Sequence, residues 1–423
     1  MDSLLYKLGM KETWERFYAY KMSLGSNGSF EKELIRFINE EKYIPVCHAI
    51  ADGKRFPLPK KAIISKMDTA KKRVVYIYPE PENTVLKILT WLLLRRYNGI
   101  FNDNLYSFRP GYSAKDAVLS LRSVPGIRQM YSYKADISNY FNSVPVEMLL
   151  PVLDEALSDD RNLFAFLKEL LEEPDVLDGS GTGNTAVIRE QKGIMAGTPL
   201  SAFYANLYLR DLDRHFNELG IPYARYSDDM ILFAKSREEV ESQAAFIRSF
   251  LTGKGLQLNS SKEEFRDPDE GWTFLGFFFH NGVTDIAPAS VYKIKRKMRR
   301  KSRALYRWAC RNGADPERAA TAFIRVFNRK LMGDDTGRVG QPDSQDGISE
   351  HDLTWSRWFF SVINTDKSLR EIDRYAQECI RYLLSGTHTK ARFNIRYETL
   401  KSLGYRSLVH AYYQPDSADN VKI

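Results

Sequence analysis

Cysteine is scarce. Cys47, Cys310 and Cys379 are the only three in 423 residues, too few and too far apart for a disulfide framework or a zinc ligand set. They fit a reducing cytoplasm. The six histidines are scattered, with neither an HExxH motif nor paired spacing. No apolar run approaches the roughly 18 residues of a membrane span, so no membrane partner is expected. Residues 1–16 mix acids and bases without an apolar stretch, which argues against a signal peptide. No internal repeat is visible. What is present is enough apolar material for a sizeable core, 43% hydrophobic and 13% aromatic residues, which excludes a wholly disordered chain. Lys plus Arg number 62 against 54 Asp plus Glu, a net charge of +8 that points to an anionic partner, nucleic acid ahead of a membrane surface. At about 150 residues per domain the length implies roughly two or three domains.

Hydrophobic periodicity places helices over 29–41, 85–96, 154–171, 201–216, 238–251 and 355–384. Strands are expected at 74–78, 131–137, around 226–234, and as a pair over 272–280. Ser113-Ala-Lys-Asp116 reads as a helix N-cap, and Asp178 to Asn184 as a hairpin tip. Gly333 to Asp352, rich in Gly and Asp, reads as a loop. Between Val291 and Lys330 stand fourteen basic residues and only two acids, Asp315 and Glu317.

The chemistry concentrates in Arg225-Tyr-Ser-Asp-Asp-Met-Ile-Leu-Phe-Ala234, where Asp228 and Asp229 open an apolar strand. An Asp–Asp pair more often marks a solvated turn, as expected at Asp159–Asp160 and Asp334–Asp335, where no such strand follows. Two like charges beside a core strand cost free energy unless a cation compensates. Mg²⁺ suits carboxylate and phosphate oxygens. Upstream, Asp136 ends a strand in Tyr133-Lys-Ala-Asp-Ile-Ser-Asn-Tyr-Phe141. One carboxylate from a strand and two from a hairpin would suit two-metal phosphoryl transfer.

Six blocks in order make the chain resemble reverse transcriptases. Tyr226-Ser-Asp-Asp229 is similar to their YxDD motif C, Asp136 to Phe141 to motif A, and Gly193-Ile-Met-Ala-Gly-Thr-Pro-Leu-Ser201 with Ala205-Asn-Leu-Tyr-Leu209 to motif B. Tyr106-Ser-Phe-Arg-Pro-Gly-Tyr-Ser113 resembles the YGFRPGRS block of bacterial enzymes related to group II introns and retrons. Gly255 to Asn259 with Lys262 resembles motif D, and Phe274-Leu-Gly-Phe277 the primer-grip motif E. The resemblance, running from about Lys60 to His280, implies an α+β right-hand polymerase. It would have an N-terminal extension (1–70), fingers (71–130), a palm with a small antiparallel sheet (131–285) and a helical thumb and C-terminal region (286–423).

The same resemblance implies roles. Asp136, Asp228 and Asp229 would be catalytic and, with Ile137, would hold two Mg²⁺ ions. Lys71, Arg73 and Arg109 would face the incoming nucleotide or template, the alternative being a solvated basic surface. Phe141 stands where the family keeps a steric gate against a ribose 2′-OH, with Tyr140 as the alternative gate. Gly197 and Pro199 would shape the nucleotide-binding backbone. Lys262 would lie near the leaving pyrophosphate or else be a surface lysine. Arg296, Arg299, Arg300, Arg303 and Arg307 would let a thumb helix track a phosphate backbone. Met195-Ala-Gly197 departs from the Pro-Gln-Gly of many relatives; with the closing Arg396 to Val409 it resembles defence-associated "unknown group" enzymes.

The expected activity is RNA-directed DNA polymerisation, with dNTPs as substrates, a structured non-coding RNA as template and a cDNA as product. The expected setting is cytoplasmic anti-phage defence. No HNH-type cluster or RNase H quartet follows motif E, which favours a stand-alone polymerase. An RNA-directed RNA polymerase is disfavoured by Phe141, and a non-catalytic RNA-binding or splicing scaffold by the intact carboxylates. Template-independent or protein-primed DNA synthesis stays open, as does the oligomeric state.

Overall fold

A computed structural model describes residues 2–23, 28–65, 72–179, 186–333 and 355–414. Its strands are β1 (Lys60–Ser65), β2 (Lys72–Ile77), β3 (Tyr131–Asp136), β4 (Asp175–Asp178), β5 (Val187–Arg189), β6 (Tyr223–Tyr226), β7 (Asp229–Ala234), β8 (Glu264–Arg266), β9 (Trp272–Phe274), β10 (Phe277–His280) and β11 (Val283–Ile286). The chain is α+β and divides into two compact units, one of residues 1–24 and 29–268, the other holding residues 269–423 with 25–28. The β9–β11 segment, grouped with the palm on sequence, therefore clusters with the helices that follow it. Among the described residues no helix is long and apolar enough to cross a membrane.

In the first unit the N-terminal residues build core rather than an appendage. Trp14 stacks on Tyr43 with ring centroids 4.7 Å apart, and its indole N–H donates to Leu8 O at 2.7 Å. The Glu82–Arg96 helix is the central element: Val85, Leu86, Ile88, Leu89 and Leu93 are all fully buried. A helix covered on most sides needs apolar residues beyond one stripe, as its sequence has. Two sheets flank this core. One has strand order β2-β1-β4-β5, with β1 and β4 parallel and the other pairs antiparallel. The second has order β6-β7-β3-β8 and is antiparallel throughout. Strand β7 lies inside this sheet, and Met230 to Ala234 are all buried, which explains their unbroken apolar run.

Three expected helices are each two. Val146–Ala156 and Arg161–Glu172 replace the single helix expected over 154–171. Asp160 caps the second of these, accepting from Leu163 N at 3.2 Å and from Leu4 N at 2.8 Å, and is only 3% exposed. It is therefore a buried cap, not the solvated turn expected of Asp159–Asp160. Ser201–Tyr208 and Arg210–Glu218 break at Leu209, and Trp355–Phe360 is separate from Lys367–Ser385. The hairpin expected at 178–184 exists as the β4–β5 pair, although its tip, like Asp334, Asp335 and Lys71, lies outside the described residues.

The second unit starts with the β9–β10–β11 meander and continues into helices. Lys367–Ser385 packs against both Pro288–Asn312 and Pro316–Met332. Asp373, buried on Lys367–Ser385, accepts from Tyr405 Oη at 2.8 Å, Leu408 N at 2.9 Å and Val409 N at 3.0 Å. One carboxylate thus caps the Leu408–Tyr413 helix, which gives the closing Gly404-Tyr-Arg-Ser-Leu-Val409 a structural reason.

Candidate active site

The site forms where β3 ends beside the start of β7. Their register pairs Asp136 with Asp229 directly. Strands β6 and β7 close a tight hairpin, Tyr226 opposite Asp229, leaving Ser227 and Asp228 as the turn. Ser227 has φ of 61°, a left-handed conformation that costs a non-glycine residue about 1 kcal/mol or more. Surrounding groups hold the turn there. Ser227 N donates to Ser107 Oγ at 2.9 Å, Ile137 N donates to Asp228 O at 3.2 Å, and Arg225 Nη1 donates to Ser227 O at 3.2 Å.

Arg225 is the functional residue that motif reading passed over. It is fully buried, and its guanidinium forks onto Asp213 with Nε to Oδ1 at 2.8 Å and Nη2 to Oδ2 at 2.5 Å. Nη2 also donates to Asn206 O at 3.2 Å. Asn206 in turn donates to Ser107 O at 2.8 Å and accepts from Ser107 Oγ at 3.0 Å. The 106–113 block, the helix after Ser201 and the Asp–Asp hairpin are thereby one hydrogen-bonded frame. Desolvation opposes the Arg225 charge, yet Asp213 more than offsets it and the guanidinium is held firmly protonated. The signal in the sequence was a charge inside an otherwise apolar strand, which requires a partner.

The carboxylates are crowded and partly dry. Burial first, and the neighbouring Asp136 second, push the Asp228 carboxyl up. Burial and then Asp228 push Asp229 up to about 6, against the pull of Lys134. Asp136 is 5% exposed; its Oδ2 accepts from Lys262 Nζ at 2.6 Å, and Asn259 N donates to its carbonyl at 2.8 Å. Lys262 thus sits on the carboxylate cluster and is not simply a surface lysine. Among the described residues no three His, Cys, Asp or Glu side chains converge as a ready-made metal cage. The donor set still fits Mg²⁺, which is usually held by one or two carboxylates together with water and substrate phosphates. Asp228 and Asp229, both with raised proton affinity and adjacent to Asp136, are the chemistry such a cation relieves.

The nucleotide-side residues fall into three groups. Gly197, with φ of 97°, lies against β2: a Cβ there would meet Val75 Cβ at 3.0 Å, and Tyr76 N donates to Ala196 O at 2.8 Å. Asn142 ties this loop to both neighbours, accepting from Ala196 N at 3.0 Å and donating to Val74 O at 3.2 Å. Phe141, half-buried, and Pro199, half-buried, therefore lie along the same loop-and-strand junction as Gly197. Arg73 is exposed on β2, and its charge reaches Asp228. Arg109 is a correction. Its buried guanidinium donates to Asn98 Oδ1 at 3.0 Å and to the carbonyls of Asn102, Leu105 and Phe101, and lies over the Tyr112 ring at 4.0 Å. These bonds commit the guanidinium to folding its own loop. Tyr140 is equally committed, fully buried and donating to Ala205 O at 2.6 Å, which removes it as a gate.

In the second unit, Arg296, Arg299, Arg300, Arg303 and Arg307 are exposed on the Pro288–Asn312 helix. At about 100° per residue they share one arc, while Met298, Ser302 and Ala309 face inward.

Paired strand ends carrying three carboxylates beside a glycine-shaped loop define a palm-type nucleotidyl-transfer site. The chain belongs to the reverse transcriptase (RNA-dependent DNA polymerase) family, which matches residues 58–279. It is 21% identical over 267 residues to protein YkfC of Escherichia coli K12, covering 54% of this chain and 68% of that protein. It is 22% identical to the group II intron-encoded protein LtrA of Lactococcus lactis, covering 51% of this chain but only 35% of LtrA. It is also 22% identical to the retron Ec86 reverse transcriptase of Escherichia coli, covering 54% of this chain and 65% of that enzyme. Among solved structures, telomerase from Candida albicans overlays with a TM-score of 0.45 at 11% identity, covering 84% of this chain and 66% of that one.

Proposed function

We propose that the protein is an RNA-directed DNA polymerase whose Asp136, Asp228 and Asp229 hold two Mg²⁺ ions, the main chain at Ile137 completing the set. The observation that carries this reading is the direct pairing of Asp136 with Asp229 beside the strained Ser227–Asp228 turn. When bound, the two ions activate the primer hydroxyl and neutralise charge on the departing pyrophosphate. The chain's own residues do the rest. Arg225 and Asp213 hold the turn rigid, so that Asp228 is pre-positioned and does not have to be ordered by substrate. Lys262 places an ammonium next to Asp136, where phosphate oxygens would gather. Arg73 offers a second cation from β2. Phe141, whose carbonyl accepts from Ile194 N at 2.8 Å, is the ring that would meet a 2′-OH.

The template is proposed to be one structured non-coding RNA, copied into a cDNA from dNTPs, in anti-phage defence. This part rests on the Met195-Ala-Gly-Thr-Pro199 and Arg396 to Val409 segments and on the basic thumb helix. Sequencing of RNA recovered with the purified protein tests it. One dominant RNA, with a matching cDNA made when dNTPs are added, is the expected result; a random sample of transcripts would overturn the dedicated template.

A further inference from the structure

Between the Pro288–Asn312 and Lys367–Ser385 helices lies a cleft of about 280 Å³, closed at one end by the segment that carries His388 and Arg392. Its size is close to the lower limit of about 300 Å³ for small-molecule sites, so it holds one planar group and not a duplex. Arg299, Arg303 and Arg392 line it against a single acid, Glu378. Arg392 Nη1 donates to His388 O at 3.1 Å, but Nη2 is only loosely paired with Glu378, at 3.9 Å, and Nε is buried with no hydrogen-bond partner among the described residues. A further ion pair at this helix contact, Lys295 to Glu371 at 2.9 Å, uses neither Arg299 nor Arg303. Burial holds the lining Cys379 thiol up at about 11, so the thiol adds no negative charge at neutral pH. The cleft therefore carries an excess of guanidinium charge with unspent donors.

The rest of the wall is aromatic. Tyr382 and His388 stack in parallel, centroids 4.2 Å apart and planes 6° apart, and Tyr306 packs on Tyr382 at 4.9 Å. His388 is exposed and stands at the end of this stack, where one more planar ring extends it. Arg299 and Arg303 belong at the same time to the basic arc of their helix. A strand that tracks the arc passes the mouth of the cleft.

We propose that this cleft receives one unpaired nucleotide of the RNA held along the basic helix, its phosphate taken by Arg299, Arg303 and Arg392 and its base added to the Tyr382–His388 stack. The inference rests on the RNA-binding part of the proposed function and adds a site that selects unpaired over paired RNA.

Binding of the purified full chain to three RNAs tests it. They are a duplex of about 16 base pairs, the same duplex with one bulged adenosine, and the same with an abasic residue at the bulge. The adenosine bulge is expected to bind about tenfold more tightly than the other two, the scale of a single base stacked on an aromatic side chain. Arg303→Ala and His388→Ala, both at exposed side chains, should each erase most of that preference. Arg300→Ala, on the arc but outside the cleft, should weaken all three RNAs by the same factor. Equal binding of bulged and abasic RNA by the wild type, or an undiminished preference in both cleft variants, would overturn the proposal. Free adenosine monophosphate that binds the wild type and not His388→Ala, without any preference for the bulge, would assign the cleft to a free nucleotide and overturn it too. Failure to bind any of the RNAs would overturn the RNA reading together with this one, whereas equal binding of all three sinks this one alone.

Discussion

Asp229 carries the electrostatic consequence of the site. Its carboxyl moves from an ordinary 3.8 up to about 6, by burial and by Asp228. An acid with a raised folded-state pKa favours the folded chain below its unfolded pKa, and this contribution is lost as pH rises through the folded value. For Asp229 the window runs from about pH 4 to pH 6. At pH 7.5 without metal, Asp229→Asn should therefore be more stable than the wild type, by about 1–3 kcal/mol in a melting experiment. The gap should shrink at pH 4.5, and Mg²⁺ should raise the melting temperature of the wild type more than that of the variant. Arg225 behaves in the opposite sense. Arg225→Met strands the buried Asp213 carboxylate and should cost about 3–5 kcal/mol. Arg225→Lys keeps the charge but not the fork, so it should fold better than Arg225→Met yet still incorporate nucleotide more slowly than the wild type. Phe141→Ala should admit ribonucleotides, read as the ratio of ribonucleotide to deoxynucleotide incorporation; an unchanged ratio would remove Phe141 as the gate.

At the scale of elements, the Pro288–Asn312 helix makes the most direct prediction. Removing Arg300 and Arg307 together should lower the slope of log affinity against log salt by about 0.7–0.9 for each phosphate left without its cation. An unchanged slope would mean that this face meets solvent alone. Helices and buried strands were legible because their apolar periods are long. The Glu82–Arg96 helix, β3, β7 and the β9–β10 pair all stand where periodicity puts them. The breaks were not legible, because none is marked by glycine or proline. Asp160 starts the second helix of one pair as a buried cap whose partners include Leu4, 156 residues away. Asn364 holds another break by accepting from Thr284 N at 2.7 Å. Strand β1 was missed because Lys60-Lys-Ala-Ile-Ile-Ser65 is short and basic, and its pairing with β2 and β4 is set by tertiary contact. Of the site, the carboxylates and the Gly197 loop could be read from motif spacing. The Arg225–Asp213 fork and the inward turn of Arg109 could not, since both depend on which loop folds over which strand.

For the whole molecule, the family assignment covers residues 58–279, and the basic helix lies beyond it in the second unit. In the proposed function the first unit would perform phosphoryl transfer while the second would hold nucleic acid by its charge. The carboxylate cluster is where this account is most exposed. Its direct test is single-nucleotide incorporation into a primer on an RNA template, with Mg²⁺, by the wild type and by Asp228→Asn, with thermal melting as the control for folding. The account predicts deoxynucleotide addition by the wild type that is lost in chelator, and a folded Asp228→Asn that is slower by at least about a thousandfold, the loss of some 4 kcal/mol of transition-state stabilisation. A folded Asp228→Asn that extends the primer at the wild-type rate would contradict it.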